Sequence, residues 1–75
     1  MAISGNSITL DGGGCAIDLN GVSGAAITGN SINSLAGTSW GVVLRQWSHN
    51  SVAGPNAFAG VTTHYIDLGG NEVIQ

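Results

Sequence analysis

The sequence has very little charge, and almost none of it is positive. It contains no lysine, Arg45 is its single strong base, and charged residues make up 7% of the 75 residues, whereas about 25% is usual in globular proteins. Binding to nucleic acid requires several cations that displace counterions from the phosphates, and attachment to an anionic membrane surface requires a basic cluster. We therefore expect neither nucleic acid nor a membrane as a partner.

Cysteine and long apolar runs are scarce as well. Cys15 is alone, so the chain cannot form an internal disulfide, and no apolar run approaches the roughly 18 residues that a spanning helix needs. No group of Cys and His has the spacing of zinc ligands. Asp11 and glycines 12–14 occur once, without the recurrence of a calcium-binding β-roll or the lysine of a phosphate-binding loop. We interpret this segment as a turn and expect no metal and no other cofactor.

The residues that are abundant favour strands and turns. Hydrophobic residues reach 43% of the chain, and they alternate with small or polar residues, as where Ile17 and Leu19 flank Asp18. A period of two indicates β-strands. The 13 glycines oppose a long helix, so the sequence predicts an all-β protein.

The sequence also repeats itself with a constant period. One block reads Ile-Ser-Gly-Asn-Ser-Ile, then Ile-Thr-Gly-Asn-Ser-Ile, then Val-Ala-Gly-Pro-Asn-Ala-Phe, at 3–8, 27–32 and 52–58. A second block reads Ile-Asp-Leu, Val-Val-Leu and Ile-Asp-Leu, at 17–19, 42–44 and 66–68. Because two separate blocks keep one period, we predict a single module, 1–75, of stacked windings that span approximately 3–26, 27–51 and 52–75.

Asparagine has a defined place in such a stack. Asn6, Asn30 and Asn56 follow the first apolar residues of each copy. Asparagine tolerates the left-handed bend between two strands, and stacked asparagines can bond to one another along the stack. We expect these three side chains to form a structural ladder. Pro55 adds one residue to the third copy, which suits an edge or a bulge.

The pattern Ile-x-Gly-Asn-x-Ile followed by an Ile-x-Leu strand resembles the right-handed parallel β-helix of the pectate-lyase-like superfamily. It is most similar to the Gly-, Asn- and Ser-rich β-helices of phage tailspikes and related polysaccharide depolymerases, over residues 3–74. The resemblance implies a right-handed solenoid of about three coils. It also implies a virion-tail or extracellular location, and a partner that is either the chain itself, as a homotrimer, or a longer β-helix protein.

Two residues are candidates for an oligomer interface. The alternation places Val43 and Tyr65 on the outside of the predicted stack, where packing about a threefold axis would bury them. The alternative is that they are isolated apolar side chains on a monomer, which are normal at protein surfaces. Both ends of the predicted stack also expose strand edges, which natural sheets usually cover.

Two carboxylates are candidates for catalysis. Asp18 and Asp67 occupy equivalent outward positions two windings apart, about 9.6 Å by strand spacing, and inverting glycosidases separate their carboxyls by about 6.5–9.5 Å. Arg45 lies diagonally between them, so an ion pair with one aspartate is the competing interpretation. Catalysis by this pair defines the enzymatic alternative, a fragment of a polysaccharide hydrolase or lyase.

Aromatic residues offer a third interpretation, a carbohydrate-binding module centred on Trp47. An exposed indole can stack on the C–H face of a sugar ring, and His49 and Tyr65 are further candidates for sugar contact. The alternative is that Trp47 is buried under a turn or at a subunit contact. Cys15, Trp40 and His64 are expected to begin the inward set of the stack. The leading hypothesis remains structural: an oligomerising β-helix module with weak carbohydrate contact.

Overall fold

A computed structural model describes residues 1–35, 37 and 39–75, and all regular elements there are β-strands. The ten strands are β1 (Ala2–Ser4), β2 (Ser7–Leu10), β3 (Gly14–Leu19), β4 (Ala26–Thr28), β5 (Ser31–Ser34), β6 (Ser39–Leu44), β7 (His49–Ala53), β8 (Ala57–Ala59), β9 (Thr63–Asp67) and β10 (Gly70–Val73). In this part of the chain no helix is long and apolar enough to cross a membrane.

The strands form three parallel sheets, and each strand pairs with the third strand further along the chain. The sheet orders are β1-β4-β7-β10, β2-β5-β8 and β3-β6-β9. Parallel neighbours three elements apart require the chain to pass through the other two sheets before it returns. This topology fits a β-solenoid and is compatible with a parallel β-helix.

Glycine makes the repeated corner between the first two sheets. Gly5 and Gly29 adopt φ values of 68° and 69° between β1 and β2 and between β4 and β5. Residues with a Cβ rarely adopt this left-handed conformation. The Gly-Asn pair of the repeat is therefore the bend that turns the chain from one sheet into the next, but its glycine, and not its asparagine as expected, takes the left-handed conformation.

The core lies among the three sheets and is mostly aliphatic. Ile27, Ile32, Val42 and Leu44 are each at most 1% exposed. Ile3, Ile8 and other half-buried side chains pack against this cluster. Full burial of such a side chain stabilises the fold by about 1.5–3 kcal/mol, so the inward columns of the repeat supply most of the hydrophobic stabilisation. A column here means the residues that occupy equivalent positions in successive windings of the stack.

The pairing of the first two repeat copies confirms the predicted register. Ile3 pairs with Ile27 and Ser7 with Ser31, so equal letters of the two copies face each other. In the third sheet Ile17 pairs with Val42, its counterpart in the second block. The repeat of letters is thus a repeat of neighbours in space.

The third copy departs from the prediction by one residue in β9. Val42 pairs with Tyr65 and not with Ile66, and Leu44 pairs with Asp67. A shift of one residue in a strand moves every side chain to the other face. Tyr65 therefore packs against the core and Ile66 takes the place beside Val43.

The physical reason for this shift is the hydroxyl of Tyr65. It accepts a hydrogen bond from Asn56 Nδ2 at 3.1 Å, and the Tyr65 ring packs edge-on against Phe58 at 5.2 Å. In the expected register the ring would be outside and both contacts would be lost. The expectation that Tyr65 faces outward is wrong.

Two other expectations of exposure are also corrected. Val43 is 1% exposed, so it is buried within a single chain and offers no surface to a neighbour. Trp40 is 45% exposed, and it pairs with Cys15 and with Thr63, not with His64. His64 instead stacks on the ring of Phe58 at 4.3 Å.

The first sheet absorbs the extra residue of the third copy. The repeat of apolar letters predicts that Ile27 pairs with Val52. In the structure Ile27 pairs with the next residue, Ala53. Ala53 is fully buried below the turn that contains Pro55. This longer step keeps Asn56 in line with Asn30.

Candidate functional site

The three repeat asparagines form a hydrogen-bonded column, with Asn30 at its centre and 1% exposed. The backbone N–H and Nδ2 of Asn6 donate to Asn30 Oδ1 at 3.1 and 3.0 Å. The same two groups of Asn30 donate to Asn56 Oδ1 at 2.9 and 3.0 Å. Asn30 Nδ2 also donates to the carbonyl of Ile3 at 3.0 Å. The buried amide of Asn30 is therefore satisfied by its neighbours, as buried polar groups require.

This asparagine column has a direction. Donors always lie on the lower-numbered residue and acceptors on the higher-numbered one. At one end, Asn6 Oδ1 has no hydrogen-bond partner among the described residues. At the other end, Asn56 Nδ2 donates to the carbonyl of Ile27 and to the hydroxyl of Tyr65, both at 3.1 Å.

A second polar network, which the repeat did not predict, lies at another corner. Ser51 is 1% exposed and its hydroxyl accepts the N–H of Ala25 at 3.0 Å. The N–H of Ser51 donates to Asn71 Oδ1 at 3.0 Å, and Asn71 Nδ2 donates to the carbonyl of Ser48 at 2.9 Å. The signal in the sequence was a further Gly-Asn pair at 70–71.

Asp18 and Arg45 form a two-point ion pair on the surface. Arg45 Nε and Nη2 donate to Asp18 Oδ1 and Oδ2 at 2.9 and 2.8 Å. These hydrogen bonds, together with the charge of the guanidinium, lower the pKa of Asp18, and the same hydrogen bonds, together with the charge of the carboxylate, raise the pKa of Arg45. Because both side chains are about 40% exposed, water screens the pair.

Asp67 is engaged separately and belongs to another column. It accepts hydrogen bonds from the N–H of Gly69 at 3.0 Å and from Asn71 Nδ2 at 2.8 Å. It pairs with Leu44, whereas Asp18 pairs with Val43. The expected alignment of the two aspartates is therefore wrong, and the basis for assigning them as acid and base is lost.

Trp47 lies at a shallow cleft on the outer surface. The indole is 67% exposed and Leu68 beside it is 57% exposed. The cleft measures about 270 Å³ and is also lined by Asn20, Arg45 and Gln46. The combination of an aromatic face with amide and guanidinium groups provides both an apolar platform and hydrogen-bond partners.

The other two candidates for sugar contact lie apart from this lining. His49 is exposed, and its Nδ1 lies 3.2 Å from the carbonyl oxygen of Trp47. It is adjacent to the cleft without lining it. Tyr65 is turned towards Asn56 and Phe58. The structure thus brings together Trp47 and His49 but not Tyr65.

Among the residues that the structure describes, the outermost strands have no pairing partner on their outer edges at either end of the stack. β1, β2 and β3 are terminal in their sheets, as are β10, β8 and β9 at the opposite end. Ser31 N–H bonds to Asn6 and Leu35 N–H to Leu10. Since backbone groups alternate in direction along a strand, the N–H groups of Ser7 and Thr9 point away from β5.

Within the described ranges, no group of three or more His, Cys, Asp and Glu side chains is placed to hold a metal ion. Comparison with protein-family models, with curated proteins and with solved structures finds no match to this chain.

Proposed function

We propose that this chain is a structural module of a right-handed parallel β-helix of about three coils, and that it adds strands to a larger β-helix assembly. By its resemblance, the assembly is a tailspike-like or secreted polysaccharide-directed protein on a virion tail or outside the cell. Its partners are further β-helix windings, from copies of this chain or from a longer β-helix protein.

The observation that carries this proposal is the open end formed by β1, β2 and β3. Ser7 and Thr9 direct their N–H groups outward there, and Ile3 and Ile8 are only half-buried. An uncovered edge of this kind is a template for another strand. A further parallel winding would pair these N–H groups and complete the burial of both isoleucines. Lateral packing through Val43 and Tyr65 no longer has support, because both side chains are occupied within the chain.

The proposal is tested by adding a winding to this end. A second copy of residues 3–26 is inserted directly after Ala2, so that the junction from Ala26 to Ile3 repeats the natural Ala-Ile link. Since Ala2 and Ala26 pair in the structure, the register is preserved. We expect a longer folded stack with a higher Tm and with the added amides protected from hydrogen exchange.

The matched control is the extended chain with Thr9→Pro in the original copy. The same chain with Thr9→Ala controls for loss of the threonine side chain. Proline removes the outward N–H without removing a bond to β5, so it should prevent docking of the added copy while Thr9→Ala should not. If the added winding stays disordered and the Tm does not rise, the open end is not competent for assembly and the proposal is wrong.

A second candidate function is carbohydrate contact at the Trp47 cleft. It is favoured by the exposed indole next to the amides of Asn20 and Gln46. The hydroxyl groups of a pyranose stacked on the indole would accept hydrogen bonds from the NH2 groups of these amides and donate hydrogen bonds to their oxygens. An exposed tryptophan at a cleft with polar lining is otherwise unexplained by the stack.

This second candidate is tested on columns of immobilised dextran and polygalacturonate. Trp47→Ala should abolish retention on whichever column delays the unmodified chain. Trp40→Ala is the control, since Trp40 is also exposed but does not line the cleft. Equal loss by both variants would indicate nonspecific stickiness, and no retention of the unmodified chain would reject the candidate.

A further inference from the structure

The two ends of the asparagine column are chemically different. Among the described residues, Asn6 Oδ1 is a free acceptor, since each bond in the column takes an N–H from the residue before it. Asn6 is also exposed. The next partner at this end must therefore be a donor of the kind that Asn6 itself presents to Asn30, a backbone N–H together with a carboxamide.

The asparagine column is closed at its opposite end by Tyr65. Its hydroxyl occupies the position that the next asparagine Oδ1 would take, and with the Ile27 carbonyl it uses both hydrogens of Asn56 Nδ2. Phe58 packs edge-on against the Tyr65 ring, and the His64 ring stacks on Phe58 at 4.3 Å. An aromatic cluster thus covers the interior, with Phe58 and Tyr65 in the columns that hold Ile32 and Val42 one winding earlier.

β10 closes the same end in a second way. It pairs with β7, and the backbone of Ile74 lies so close to Gly54 that a Cβ there would collide with the Ile74 carbonyl. Were a second copy to place its β1 on β7, β10 would stand in the way. The edge of β7, on which β1 of a copy would pair, is therefore already occupied.

We infer that assembly occurs at the Asn6 end, and that the partner is a parallel β-helix winding with an asparagine at the column position. This inference rests on the proposed function and deepens it. The partner belongs to a longer β-helix and is not a second copy of this chain, because both side-chain N–H groups of Asn56 are taken, by Ile27 and Tyr65, and the edge of β7 is taken by β10. Two Asn6 ends facing each other would oppose two acceptors.

The inference is tested by Asn6→Ala, made both in the unmodified chain and in the original copy of the chain that carries the inserted 3–26 repeat. In the unmodified chain Asn6 is exposed, and its loss should lower the Tm by about 3 °C. In the extended chain Asn6 becomes internal, as Asn30 is now, and the same change should lower the Tm by roughly 15 °C. Ser7→Ala is the control and should have the same small effect in both chains.

The outcomes separate the inference from the proposed function. An extended chain that folds, but loses the same Tm as the unmodified chain on Asn6→Ala, overturns the asparagine-specific partner and leaves the structural module standing. An extended chain that fails to fold overturns both. Sedimentation velocity at micromolar concentrations should show the unmodified chain as a monomer. Self-association that Thr9→Pro abolishes would make a second copy the partner, against the inference.

Discussion

Substitution of Asn30 by alanine is the most informative single change in the fold. The Asn30 side chain donates to Ile3 and Asn56 and accepts twice from Asn6, so four hydrogen bonds are lost together. A net hydrogen bond is worth about 0.5–1.5 kcal/mol. The two bonds from exposed Asn6 count near the lower limit, because water replaces them. The sum is about 3 kcal/mol.

For a chain of this size, about 3 kcal/mol corresponds to a Tm lower by roughly 15 °C. The assay is thermal unfolding followed by circular dichroism, with urea unfolding at one temperature as a second measure. The free energy of unfolding should fall with little change in the denaturant slope, since the surface exposed on unfolding is nearly the same.

Two further variants separate hydrogen bonding from packing. Asn30→Asp keeps the volume and the acceptor but removes both donated bonds, so it should also destabilise at neutral pH. Asn6→Ala, at the exposed end of the column, should cost less than about 1 kcal/mol. If Asn30→Ala costs no more than Asn6→Ala, the column is not a source of stability and the reasoning fails.

Two other predictions concern packing and charge. Gly41→Ala should lower stability by about 1–3 kcal/mol, because the new methyl would meet the ring of Phe58; Gly12→Ala, which meets nothing, should not, and equal effects in urea unfolding would contradict this packing. Arg45→Gln should raise the pKa of Asp18 towards 3.8, measured by NMR titration of the carboxyl carbon. Since the folded-state pKa of Asp18 is lowered, the stability from this pair is present above the unfolded-state pKa. It is lost as the pH falls through the folded-state pKa; an unchanged titration in Arg45→Gln would exclude the ion pair.

Much of the fold could be predicted because the repeat carries its own register. Ile3 and Ile27 occupy equal places in two copies of one block, and they pair in the structure. Asn6, Asn30 and Asn56 were aligned by the same repetition, including the extra residue at Pro55, and they lie in one hydrogen-bonded column. Equal letters stack because each of the first two copies bends at the same glycine.

The shift in β9 could not be predicted from the repeat, because the letters favour the other register. Ile66-Asp67-Leu68 copies Ile17-Asp18-Leu19, yet Tyr65 occupies the column of Ile17. The register depends on one hydroxyl that meets the amide of Asn56. Such a contact is visible only once the chain has been folded around the core.

The surface cleft was anticipated in part. The run around Trp47 leaves two possibilities open, an exposed indole or one buried under a turn or at a subunit contact, and the side chain is exposed. Asn20 and Leu68 come from distant parts of the sequence and join it only through the stacking of the sheets. An ion pair of Arg45 with one of the two aspartates is the alternative to catalysis that the sequence offers, and the structure shows this pair with Asp18.

The fold depends on the chain returning to the same sheet so that repeat positions become neighbours. The most direct measurement is a nuclear Overhauser spectrum of the labelled protein, examined at the side-chain amide of Asn56. Cross-peaks to the Tyr65 ring and to the Asn30 side chain are predicted, since these groups are hydrogen-bonded to Asn56. Cross-peaks to the methyl groups of Ile66 in place of Tyr65, or none to Asn30, would contradict it.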